Sequence, residues 1–209
     1  MGDGDDHEQL RRSITRPGLL YDPGVGVAIA LVLSAAFGAG DQYLGSGHVA
    51  GIGWATDVSL LSAPWLLLAF VVGATQRDPK RAALLGLACT YAALLGYGVM
   101  TLSPAENAHI TMATVRGFVY SERNVFIGGI ATGPLFGWFG QQWRSRKMLD
   151  GALLVAAALC LEPLARRLSA NPIRHHVVSI GEVAAGLVFA ACVVIWRQQT
   201  RESRPVSTS

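Results

Sequence analysis

Charged side chains are scarce in this sequence. Of its 209 residues only 15% are Asp, Glu, Lys or Arg, against roughly 25% in soluble domains. Mean hydropathy is +0.37, and the few charges leave long stretches of chain empty. Cysteine is equally sparse: Cys89, Cys160 and Cys192 each stand alone in apolar surroundings. Isolated thiols of this kind are packing residues, and they assemble neither a disulfide framework nor a CxxC metal site. The sequence holds no HExxH and no Gly-rich phosphate loop. Without a basic stripe interleaved with aromatics, its net charge of +3 is no nucleic-acid signal. No metal, cofactor or nucleic-acid partner is expected.

What the chain does have is apolar length. A transmembrane helix needs about 20 mostly apolar residues, and six segments qualify, near 25–44, 58–75, 82–102, 125–143, 149–164 and 177–196. The expected fold is all-α: a polytopic six-transmembrane-helix bundle over residues 21–197, with polar tails at 1–20 and 198–209 that read as disordered and cytoplasmic. With an inside N-terminus, the outer segments hold Arg116, Arg123, Arg166, Arg167 and Arg174, leaving twelve of the 17 Lys and Arg inside. The positive-inside rule favours that arrangement, with both termini cytoplasmic. The setting is then a plasma membrane, in bacteria the inner one, and the lipid bilayer is the first partner. The alternative for the first span is a cleaved leader, although its polar start would be unusually long and acidic.

Inside loops such as "QRDPKR" are tight, whereas length is spent outside. In "SPAENAHITMATVRGFVYSERN", Ser103 and Glu106 are spaced as a capping box and Pro104 suits a first helical position. This predicts an amphipathic helix near 104–119 lying on the outer surface, able to serve as a lid. Its polar stripe is Glu106, His109, Arg116 and Tyr120.

Three groups of residues are candidates for function. Gly26, Ala30, Ser34 and Gly38 recur every four residues in the first span, as do Gly129, Gly133 and Gly137 in the fourth. Such ridges let helices approach closely, either within the chain or as a docking face for a membrane partner subunit or a second copy. Glu182 stands inside the sixth span, where charge is costly, and Ser179 shares its face. It either binds a ligand or fastens helices together. A polar stripe of Thr90, Tyr97 and Thr101 climbs the third span towards the same level. With Arg116, Arg174 and His109 nearby, these residues predict a polar, outward-facing pocket for a small-molecule ligand. Glu162, four residues before Arg166, reads as a helical ion pair.

Enzyme activity is not expected. "GAGD" (Gly38–Asp41) matches the GxGD string of intramembrane aspartyl proteases, with "YD" (Tyr21–Asp22) before it. A helix carrying both would separate Asp22 and Asp41 by on the order of 28 Å, too far for a catalytic dyad. "LGSG" around Ser46 has Leu44 where a rhomboid-like serine motif requires Gly.

The segments "SAPWLLLAFVVGATQ", "GYGVMTLSPAENA" and "GGIATGPLFGWFGQQWR" resemble an uncharacterised family of actinobacterial multi-pass membrane proteins, over most of the chain between the tails. The resemblance implies a bacterial inner-membrane protein and no particular activity. In architecture the chain is also similar to the substrate-binding S components of energy-coupling-factor transporters, which implies a transport-associated role with outer loops closing over a solute. No vitamin-specific motif accompanies that likeness. The alternative is a non-catalytic membrane scaffold or assembly partner working through its glycine faces.

Overall fold

The computed structural model describes residues 23–47, 53–146, 148–168 and 173–202; the two tails lie largely outside them. Among the described residues the chain forms helices and no strand: α1 (Pro23–Gly45), α2 (Gly53–Ser59), α3 (Ala63–Ala74), α4 (Pro79–Thr101), a 3₁₀ turn (Pro104–Glu106), α5 (Met112–Ser121), α6 (Arg123–Arg146), α7 (Asp150–Leu168) and α8 (His176–Glu202). Three helices are long and apolar enough to cross a membrane, at Gly24–Gly45, Pro79–Thr101 and His176–Gln199. The bent pair α2–α3 makes a fourth if it is one span. This is the length and composition of a membrane protein. Helices α6 and α7 are not among the qualifying spans, since α6 ends in a polar run, Gln141, Gln142 and Arg144, and α7 carries Asp150, Glu162, Arg166 and Arg167.

Helices α3, α4 and α6 pack on one another, α1 lies along α4, and the α7–α8 pair joins through α6 and α3. Glycine permits the closest approaches. A Cβ on Gly38 would strike the backbone of Ala93 in α4, and one on Gly96 would strike Ala35 in α1. On the other side of α4, Gly137 sits against Ala82 and Gly86, and a Cβ on Gly133 would lie 3.0 Å from the Leu87 backbone. Ala63, Phe70, Phe136, Val155, Leu159 and Val193 form the largest apolar core, between α3, α6, α7 and α8. Conversely, Val32, Leu33, Leu84, Leu95, Val99, Ile127 and Ile180 are each more than 60% exposed. Solvated surfaces rarely carry so much continuous apolar area, whereas a bilayer accepts it.

Two sequence expectations need correction in detail. The stretch near 58–75 is not one straight helix, because α2 and α3 meet at 54° across a short break. Pro64 stands in the first turn of α3. The outer helix does not begin at Pro104: Ser103 makes no side-chain cap, and the 3₁₀ turn ends at Asn107 in the left-handed region (φ 54°). Helix α5 starts afresh at Met112, where Thr111 and Thr114 form a reciprocal capping box that satisfies orphan backbone N–H groups. Sequence spacing suggested one box; the chain uses another eight residues later.

Candidate functional site

The termini at Gly45, Ala63, Thr101, Arg123, Leu168 and His176 gather at one end of the bundle. There the helices splay around a cavity of about 460 Å³. Each wall is a single helix face. Phe37 and Asp41 are one turn apart on α1; Thr90, Leu94 and Tyr97 follow i, i+4, i+7 on α4; and Val125, Gly128, Gly129 and Thr132 do the same on α6. The α2–α3 break contributes Ser59 to Ser62, α3 adds Trp65 and Leu66, and the end of α5 adds Phe118 and Glu122.

A ladder of rings runs through these walls. Phe37 meets Trp65 at 5.4 Å between centroids, Trp65 meets Tyr97 at 6.3 Å, and Tyr97 meets Phe118 at 6.2 Å. Phe118 continues to Phe126 and on to Tyr91. The edge-to-face pairs place ring edges on ring faces, the arrangement that aromatic quadrupoles favour. The Trp65 indole also lies beside Asp41. Most hydroxyl protons here are already used: Thr90 donates to the Gly86 carbonyl at 2.9 Å, Thr132 to Gly128 at 3.0 Å and Ser59 to Thr56 at 2.8 Å.

Behind Ser62 lies a second polar cluster. The Ser62 and Ala63 amides donate to Glu162 at 2.6 and 2.8 Å, and Arg166 donates to the same carboxylate at 2.9 and 2.7 Å. Glu162 thus caps α3 from another helix, placing negative charge at the positive end of its macrodipole. Arg144 of α6 donates to the Ala74 carbonyl at the far end, at 2.9 Å. Helix α3 is capped at both ends by side chains borrowed from α7 and α6. Glu182 is 4% exposed and faces Glu162, and neither of its carboxyl oxygens meets a hydrogen-bond donor. Separately, buried Asp57 accepts from the His175 amide at 2.6 Å and pairs with its imidazole at 2.8 Å, tying α2 to the start of α8.

The structure distributes the sequence candidates unevenly. Tyr97 lines the cavity, as Thr90 does. Thr101 stands one turn further on and donates to the Tyr97 carbonyl. Glu182 and Ser179 lie on α8, outside the lining, with Glu182 against Glu162. Arg116, His109 and Arg174 are exposed and line no part of the cavity. Of the small-residue ridges, Ser34, Gly38, Gly129, Gly133 and Gly137 are buried inside the chain's own packing, Ala30 is half-buried, and Gly26 faces open space. Sequence reasoning did not single out Trp65, Phe118 and Glu122 as lining residues, and it met Asp41 chiefly as half of a catalytic dyad. The i, i+4 pair Phe37 and Asp41 was the available signal. Its meaning depends on which helix stands opposite. Among the described residues no cluster of three metal-ligating side chains occurs. Compared with known proteins, the chain matches no family model, no curated protein and no solved structure.

Proposed function

We propose that the protein binds a small solute in the cavity between α1, α3, α4, α5 and α6, as a component of a membrane transport system. The observation that carries this reading is the cavity itself. Its volume of about 460 Å³ lies in the range of small-molecule sites, and like them it sets a few convergent polar groups in mostly apolar walls. In the reading proposed here six segments span the bilayer: α1, the bent α2–α3, α4, α6, α7 and α8. Both termini are then cytoplasmic, and the cavity opens outward beneath α5. Helices α6 and α7 are less apolar than the others, but packing against α3, α4 and α8 shelters part of their surface. A plasma-membrane location and an S-component-like role belong to this same proposal.

The alternative is a scaffold that docks through glycine faces. It has less to draw on, since Gly38, Gly133 and Gly137 are occupied by the protein's own helices, and of the glycines in the two ridges only Gly26 remains open. A cavity-filling variant separates the two readings. A Cβ on Gly128 would meet nothing within 4 Å, yet Gly128 lines the cavity. Gly128→Phe should therefore fold and fill it. Native mass spectrometry from mild detergent should show a small non-lipid mass on the wild type and none on Gly128→Phe. Bare spectra for both, with a defined oligomer or partner subunit instead, would favour the scaffold.

A further inference from the structure

If the cavity is a solute site, as proposed above, its walls restrict what it can hold. We infer that the ligand is a small organic cation, an amine or quaternary ammonium with an apolar body. The lining has acids at two sides, Asp41 from α1 and Glu122 from the end of α5, and no Lys, Arg or His among the described residues. Between the acids stand the rings of Trp65, Tyr97 and Phe118, whose faces attract cations through their quadrupoles.

The distribution of hydrogen-bond donors points the same way. Ser59, Thr90 and Thr132 give their protons to backbone carbonyls, and the Trp65 indole stands beside Asp41. The remaining capacity of these three hydroxyls towards the cavity is lone pairs. The Arg166 guanidinium behind Ser62 is held by Glu162 and donates to the Ser62 hydroxyl. Arg123 lies over the Tyr120 ring at 4.6 Å and is not part of the lining. An anion would find two carboxylates and no basic side chain in the lining, with hydroxyl donors at Ser62 and Tyr97 too few to replace its hydration. A cation would find opposite charge, acceptors and ring faces. The leucines Leu60, Leu61, Leu66 and Leu94 and the volume argue against a bare metal ion, which needs a tight oxygen cage. They suit a cation with a hydrocarbon body.

The test is equilibrium dialysis of the full chain in an uncharged detergent against a panel of matched small molecules. Each primary or quaternary amine is paired with a neutral isostere and a carboxylate of similar shape, such as choline with 3,3-dimethylbutan-1-ol and 3,3-dimethylbutanoate. At least one cation should be retained tenfold or more above its neutral partner, and Asp41→Asn or Glu122→Gln should remove that preference. Gly128→Phe should abolish retention altogether. Because the preference is read first on the wild type, a variant that fails to fold does not obscure it. Retention of neutral or anionic members, lost in Gly128→Phe, would overturn the cation and leave the solute site standing. A cation preference unchanged in both acid variants would also overturn the inference, since its source would lie elsewhere. No retention of any panel member by the wild type would overturn both.

Discussion

Glu162 and Glu182 face each other, yet the physics assigns them different work. Glu162 receives two backbone amides and a two-pronged guanidinium, and its side chain is only 10% exposed. Truncating one partner of such a buried pair typically costs about 3 kcal/mol or more, because the other charge stays behind uncompensated. Glu162→Ala should lower the thermal midpoint of the detergent-solubilised protein markedly. Glu182→Gln should be nearly silent in the same melt, since neither oxygen of Glu182 holds a hydrogen bond that the amide would lose. Equal destabilisation by the two substitutions would contradict this division of labour. A sequence reader sees Glu182 first, because it is the charge inside a long apolar run. Glu162 is easily passed over, because Arg166 one turn later explains it locally. Its larger role, capping a helix that begins a hundred residues earlier, has no local trace.

At the scale of elements, much was legible. The expected third span, 82–102, corresponds to α4 at Pro79–Thr101, and the first, 25–44, to α1 at Pro23–Gly45. Asp78 caps α4 by accepting the Arg81 amide at 2.9 Å, with Pro79 at its first turn. Such punctuation lies within the sequence itself. The α2–α3 break did not, because the amides exposed there are satisfied by Glu162 from elsewhere in the chain. The cavity was half legible: Tyr97 belongs to a visible polar stripe, while Trp65 and Phe118 gain their meaning only when α3, α4 and α5 converge. Glycines allow a test at this level. Gly38→Leu and Gly137→Leu should collapse the yield of monodisperse protein in gel filtration, as each Cβ would enter the backbone of α4. Gly26→Leu and Gly181→Leu, both facing open space, should elute like the wild type.

For the whole molecule, the two ends are built differently. The end away from the cavity is dense: Phe70 packs against Trp143 and Phe189, Trp143 against Trp196, and Gln141 donates to the Arg77 carbonyl at 2.9 Å. The cavity end is looser and carries α5, whose Met112, Val119 and Tyr120 are exposed. The proposed orientation predicts a labelling pattern in intact cells, in a background with Cys89, Cys160 and Cys192 replaced. A membrane-impermeant maleimide should modify Met112→Cys from outside, and Lys80→Cys only after lysis. The reverse pattern would invert the topology.

The length of α3 has a further consequence. Its 12 residues rise about 18 Å, whereas the hydrocarbon layer of a bilayer is about 30 Å thick. Yet a carboxylate and a guanidinium are anchored at its two ends. In the six-span arrangement proposed above, the greasy slab should narrow to a waist beside α3, with water or headgroups drawn down towards Ser62. A dissolved molecule would then cross much of the membrane's depth without leaving a wet environment. A spin label replacing Ser62 should relax with a water-soluble paramagnet rather than with oxygen, and the opposite ranking would mean that the slab is intact there.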